Sequence, residues 1–167
     1  MIVRLEGVAD HAAAIEVERA AFGGPDEPRI VEAVRDLVGS FAFVAEDDGE
    51  IVGHVQMSRA WVGETEVLAL GPIGVIPDRQ RRGIGSALLR AALAEAARRG
   101  EVAAILLGDP AYYGRFGFQP AAVHGLANPF ADVRGDGFRV DDGDFQIVVI
   151  GHGARLEGEV RWHPAFG

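Results

Sequence analysis

Apolar residues recur along this chain in two interleaved rhythms, one of alternate positions and one of every third or fourth. "IVRLE" reads as a short strand, and Asp10 is placed to cap a helix running through Ala21. The breaker cluster "GGPDEP" precedes a second helix, predicted near Arg29 to Val38. "SFAFVAEDDGEIVGHVQMSRAWV" reads as a hairpin turning at Asp48-Gly49. "EVLALGPIGVI" is an apolar strand with little alternation, as expected for burial on both faces. Its glycines and Pro72 predict a bulge or an interruption in pairing. A helix from about Gln80 to Arg99 follows, closed by Gly100 as a C-cap. "VAAILL" is a further buried strand. "GDPAYYGRFGF" reads as a tight turn, a helical turn and a re-entering strand, and "FQIVVI" is the last clear strand after a polar, glycine-rich loop from about Ala121 to Asp144. Hairpins combined with one strand–helix–strand crossover predict a mixed sheet covered by helices, an α/β (α+β) fold. No repeat or linker divides the chain, so residues 1–167 are expected to form one domain.

Composition narrows the chemistry. With 49% hydrophobic and 25% charged residues the chain reads as globular. No apolar run approaches the roughly 20 residues of a membrane helix, and "MIVRLEGVADHAAA" lacks the charged head and apolar stretch of a secretion signal. A cytoplasmic location is the expectation. Cysteine is absent, which excludes disulfides, thiolate metal sites and cysteine-bound intermediates. All 16 basic residues are arginine, so a lysine nucleophile is excluded as well. Histidines 11, 124, 152 and 163 show no metal-ligand spacing, and no metal is expected. A net charge of -9 argues against nonspecific nucleic-acid binding and favours cationic substrates.

Against that acidity, "IPDRQRRGIGSALLR" gathers positive charge. Six arginines (79, 81, 82, 90, 98, 99) stand between Arg79 and Arg99, against the single acid Glu95. A helix N-terminus offers N–H groups without helical acceptors and about half a positive charge. Gly83 and Gly85 remove side chains there, and Arg81 and Arg82 add formal charge. This is the composition of a phosphate site. A P-loop needs a lysine the chain does not have. A dinucleotide fingerprint fits poorly, because Leu88 stands at its third glycine and Pro77 to Arg82 separate the strand from Gly83.

"VIPDRQRRGIGSALL" resembles the acetyl-coenzyme A motif of the GNAT superfamily of N-acetyltransferases, [QR]-x-x-G-x-[GA], with Gln80, Gly83 and Gly85 in place. "YGRFGF" is similar to that family's later Y-x-[KR]-x-G-F signature, through Tyr113, Arg115, Gly117 and Phe118. "GDPAYYGRFGF" with "GEVRWHPAF" resembles more narrowly a subgroup of predicted bacterial acetyltransferases. The resemblance covers nearly the whole chain. It implies a mixed, mostly antiparallel sheet of about seven strands with helices on both faces. The fourth strand, Val67 to Ile76, would splay from the fifth, Val102 to Leu107. It also implies acetyl-coenzyme A as cosubstrate, with pantetheine along Ile73, Gly74 and Val75. The pyrophosphate would lie on the segment Gln80, Arg81, Arg82, Gly83, Ile84, Gly85 and Ser86. The family's common asparagine after the fifth strand is missing, and Gly108-Asp109-Pro110 takes its region.

Amide formation needs a free amine, an oxyanion donor and a proton for the thiolate. A backbone N–H near Val75 suits the second need. A phenol of pKa about 10 suits the third, since it outlasts a thiol of about 8.5. Tyr113 matches the family's general-acid position, with Tyr112 as the adjacent alternative. No general base is assigned. Glu66 stands seven residues, about 23 Å of extended chain, from Ile73. His54 lies on the hairpin, where a lone strand histidine reads as structural. The expected function is direct acetyl transfer from acetyl-coenzyme A to a primary amine, on a small molecule or a peptide. The expected partners exclude nucleic acid and membrane, and the chain is expected as a monomer or homodimer. A noncatalytic acyl-coenzyme A sensor on the same fold is the alternative.

Overall fold

Asp48 and Gly49 turn the chain with φ of 52° and 83°, the paired positive values of a two-residue hairpin loop. They join β2 (Phe41–Asp47) to β3 (Glu50–Val62), with Asp47 opposite Glu50. The structure, a computed structural model, describes residues 1–131 and 141–167. The remainder of the predicted Ala121 to Asp144 loop lies outside the described residues.

Six further strands accompany the hairpin: β1 (Ile2–Leu5), β4 (Thr65–Val75), β5 (Ala103–Leu107), β6 (Gln119–Pro120), β7 (Phe145–Val149) and β8 (Val160–Arg161). The hydrogen-bonded order is β1-β2-β3-β4-β5-β7-β6, and β8 pairs β3. Among the described residues the sheet has eight strands, in keeping with the expected sheet of about seven. The extra one is the two-residue β8, too short to show a period of its own. Most pairings are antiparallel, while β4 and β5 run parallel, with Leu68 opposite Ala104 and Ala69 opposite Ile105.

The chain falls into two compact units, and β3 and β4 contribute residues to both. The first comprises Met1–Ser58, Leu70–Ala96 and His163–Gly167. It contains α1 (His11–Phe22), α2 (Asp26–Val34) and most of α3 (Ile84–Arg98). Successive residues of a strand face opposite sides. A methyl group on Gly53 would meet Leu88 and Ile84 of α3 at 2.9 and 3.0 Å, whereas the next residue, His54, meets Glu18 of α1. Helices α1 and α3 thus cover opposite faces of this part of the sheet.

One helix cap and two helix boundaries differ from expectation. Asp10 precedes α1 but makes no side-chain cap to it, because its carboxylate takes the Gly7 N–H at 2.8 Å and both terminal nitrogens of Arg4. Helix α2 starts at Asp26, where Asp26 and Glu27 suit the positive helix end, and stops at Val34, leaving Val38 exposed. Helix α3 starts at Ile84 rather than Gln80, since Arg81 and Gly83 adopt left-handed φ values of 59° and 83°.

The second unit comprises Arg59–Ala69 and Ala97–Trp162. Here β7 pairs antiparallel with both β5 and β6. Phe145, Ile147, Ile105, Leu106 and Phe118 form its buried apolar body. Arg59 grips Glu101 through two hydrogen bonds of 2.7 and 2.9 Å. Glu66 is exposed beside Arg59. Among the described residues no helix is long and apolar enough to cross a membrane, and no group of three or more His, Asp or Glu is placed to hold a metal ion.

Candidate active site

The first unit holds every residue expected around the coenzyme. Ile73, Gly74 and Val75 end β4. The strand stays continuous by hydrogen bonding, and its irregularity lies earlier, where Gly71 has φ of 138° before a cis peptide to Pro72. Beyond Val75, Ile76 N–H donates to Val52 O at 3.0 Å, and Pro77–Arg79 make a single 3-10 turn. Arg79 is committed to Asp47, 2.5 Å away, so it braces the turn against the β2–β3 hairpin. Gln80 Nε2 donates to Val75 O at 3.0 Å, tying the turn back to the strand end.

The chain then reverses through Arg81 and Gly83 into α3. The Gly83 carbonyl accepts from Ala87 N–H at 3.0 Å, which makes Gly83 the residue that opens the helix. Arg81, Arg82 and Gly83 are exposed, and the space where a Gly83 side chain would begin contains no atom within 4 Å. Ile84 turns inward onto Gly53 and fixes the first turn against β3. Gly85 and Ser86 follow in that turn, where helical amides have no helical acceptor.

Tyr112 and Tyr113 belong to the second unit, on the short helix α4 (Pro110–Tyr113). Pro110 preorganises its first position, and Asp109 caps it by accepting from Ala111 N–H at 2.8 Å. Asp109 is therefore occupied by the helix it starts. The Tyr113 ring lies on Gly108 and edge-on to Phe118, with ring centres 5.9 Å apart. Burial, with a smaller contribution from Tyr112, pushes its phenol up to about 12. Tyr112 stands under the Arg115 guanidinium, 4.6 Å above its ring centre.

One feature of the first unit escapes the sequence reading. Glu18 Oε1 lies 2.7 Å from His54 Nδ1, and both side chains are fully buried. A methyl group on Gly74 would stand 2.6 Å from Glu18 Oε2 and 3.1 Å from Ala21 Cβ. Burial, followed by Glu27, pushes Glu18 up to about 8; the Gly74 amide opposes this without a hydrogen bond of ordinary geometry. Burial holds His54 down at about 4, with Glu6 opposing and Arg35 and His11 reinforcing. Oε2 and Nε2 lack hydrogen-bond partners among the described residues. The signal was available in α1, where Ala14, Val17, Glu18 and Ala21 follow helical spacing and so place a carboxylate in an apolar stripe.

Residues 11–118 match the model of the acetyltransferase (GNAT) family. The chain is 33% identical over 130 residues to the uncharacterized N-acetyltransferase YhbS of Escherichia coli, covering 75% of this chain and 78% of YhbS. It is 32% identical over 114 residues to the uncharacterized N-acetyltransferase YjhQ of the same species, spanning 64% of this chain and 63% of YjhQ. Among solved structures, a GNAT family acetyltransferase from Brucella melitensis in complex with acetyl-CoA superimposes with a TM-score of 0.79 at 32% identity, covering 99% of this chain and 97% of that one. The E. coli YhbS structure in complex with CoA gives 0.83 at 27% identity, covering 99% and 91%.

Proposed function

From the premise that this chain belongs to the GNAT family of acetyltransferases, we propose that it transfers an acetyl group from acetyl-coenzyme A directly to a primary amine. The observation that carries the reading is the Gln80–Ser86 reversal: two left-handed residues, an open Gly83, exposed Arg81 and Arg82, and a helix beginning at once behind them. That arrangement suits a pyrophosphate, which gains main-chain N–H donors, the positive helix end and two guanidinium groups in one place.

Each part of the chain then has a task. Ile84 and Gly85 present first-turn amides to phosphate oxygens, while Arg81 and Arg82 supply charge. Gln80 holds the Val75 carbonyl, so the reversal and the strand end keep one spacing. Ile73, Gly74 and Val75 offer main-chain groups to the pantetheine arm, and the Val75 N–H stabilises the oxyanion. The coenzyme supplies an acetyl thioester, which an amine attacks without a covalent enzyme intermediate. Tyr113 is assigned as general acid to the departing thiolate, since its phenol stays protonated at every working pH.

Release of free thiol from acetyl-coenzyme A across a panel of primary amines tests this reading. Amine-dependent release supports the transferase. Coenzyme binding without release for any amine would instead identify an acyl-coenzyme A sensor.

A further inference from the structure

We infer that Glu18 is the catalytic base that deprotonates the acceptor amine, with His54 as its positioning residue. The inference deepens the N-acetyltransferase reading and rests on it.

Placement argues first. The Glu18 carboxylate lies over Gly74, close enough that even a methyl group there would collide with Oε2. Gly74 is the middle residue of the segment assigned to pantetheine, and its Cα is about 3.8 Å from that of Val75, whose N–H is assigned to the oxyanion. A proton acceptor beside the thioester carbonyl must stand about here. Glycine at residue 74 leaves room for Oε2, since a Cβ there would stand 2.6 Å from it.

The hydrogen bonding argues second. His54 Nδ1 engages Oε1, while Oε2 has only the nearby Gly74 amide and no hydrogen bond of ordinary geometry among the described residues. A fully buried carboxyl oxygen without a partner costs stability, and such a cost persists where function requires the atom. A purely structural pair would be expected to use both oxygens.

The chemistry follows. An ordinary carboxylate is a poor base for an alkylammonium ion, whereas a desolvated one is far better matched. Burial raises Glu18 to about 8, and Glu27 on α2 adds to the shift. His54, on β3, is faced by Glu6, Arg35 and His11, and burial keeps it neutral. Arg35 and Glu6 lie 3.7 Å apart and largely offset one another. Neutral His54 holds the carboxylate in place by donating Nδ1–H to Oε1, without adding a charge.

In the reaction the ammonium group loses two protons. Glu18 takes the first from nitrogen and passes it to solvent. The nitrogen lone pair then forms the C–N bond and the C–S bond breaks. Tyr113 gives its phenol proton to sulfur, and the second nitrogen proton, lost through solvent, restores the phenol, so the products are the amide, the thiol and one released proton.

The test is the pH dependence of thiol release with the two best acceptors of the amine panel, chosen for different pKa values. For the wild-type protein, turnover should rise along a limb near pH 8 whose position does not follow the amine. Glu18→Gln should fold, lose about 10²-fold or more in kcat and lose that limb. Its acetyl-coenzyme A affinity, measured by calorimetry, should stay within about twofold, since removal of a base acts on the transition state. His54→Leu should move the limb to higher pH, because the carboxylate loses its donor; a merely structural histidine would not shift it. If Glu18→Gln does not fold, Glu18→Asp carries the test, with the limb kept and kcat reduced by withdrawal of the carboxylate. A Glu18→Gln protein with the wild-type limb and kcat, or a Glu18→Asp protein with undiminished kcat, overturns the assignment. If the wild-type protein releases no thiol with any amine, the transferase reading itself falls, and that is seen without any variant.

Discussion

The Tyr113 ring rests on Gly108 so closely that a Cβ at residue 108 would lie 2.3 Å from Cε2. The absence of a side chain is what lets the ring lie there. The Gly108 peptide is fixed on both sides, by Gln146 Nε2 donating to its carbonyl at 2.7 Å and by its own N–H donating to Asp144 O at 2.9 Å. Neither the backbone nor a rigid ring can yield cheaply. Gly108→Ala should therefore cost about 1–3 kcal/mol, as overpacking does. That corresponds to about 2–4 °C of melting temperature per kcal/mol for a chain of this size. A thermal melt followed by circular dichroism measures it, and an unchanged melting temperature would mean the ring is not held there.

Binding depends on the reversal before α3. Valine at Gly85 places a branched side chain over first-turn amides that the coenzyme pyrophosphate is proposed to use. Gly85→Val should weaken acetyl-coenzyme A binding at least tenfold, about 1.4 kcal/mol, in a protein that remains folded. Calorimetric titration with unchanged affinity would move the phosphate site elsewhere.

Coenzyme A should raise the melting temperature by binding the native state, and NAD at equal concentration should do much less. Both carry a pyrophosphate, but only coenzyme A carries an arm that can pair along Ile73, Gly74 and Val75. A larger shift with NAD would favour the dinucleotide reading.

The buried pair predicts a pH dependence of stability that needs no substrate. Between its ordinary value of 4.5 and about 8, native Glu18 keeps a proton that the unfolded chain has lost, so stability falls as pH rises. Between about 4 and 6.5, native His54 lacks a proton that the unfolded chain holds, so its contribution rises with pH. The two offset each other where the windows overlap, and from pH 6.5 to 8 the Glu18 slope remains. Its limit is about 1.4 kcal/mol per pH unit. Urea unfolding at pH 6.5 and 8 should show wild-type stability falling and Glu18→Gln nearly flat across that interval. Parallel curves would show that Glu18 is not held protonated.

Much of this was legible in the sequence, and the parts that were not share a physical origin. Asp48-Gly49 announced a hairpin because its left-handed turn is set by two adjacent residues. The reversal before α3 was less legible: Gly83 was read as room for a phosphate, while left-handed Arg81 and Gly83 hold the helix back to Ile84. Asp10 misled because a carboxylate ahead of a helix reads as a cap, while Arg4 and the Gly7 amide claimed it instead. Glu18 and His54 are 36 positions apart, on a helix and a strand, and only tertiary packing brings them together. Desolvation, which turns an ordinary glutamate into a candidate base, has no sequence signal beyond a carboxylate in an apolar stripe.

Tyr113→Phe separates chemistry from packing, since it keeps the ring on Gly108 and removes the hydroxyl. Turnover should fall about 10²-fold or more while coenzyme affinity stays constant. With the phenol held up to about 12, no descending limb from Tyr113 is expected below pH 10. Tyr112→Phe should be milder. Full turnover in Tyr113→Phe with loss in Tyr112→Phe would reassign the acid to the neighbouring tyrosine.

The most direct measurement is the fate of the acetyl group itself. Incubation with isotopically labelled acetyl-coenzyme A and the amine panel, read by mass spectrometry alongside free thiol, should yield labelled N-acetyl amine and thiol in equal amounts. Thiol without acetylated amine would make the protein a thioester hydrolase, and bound coenzyme with neither product would make it a sensor; either result contradicts direct acetyl transfer to an amine.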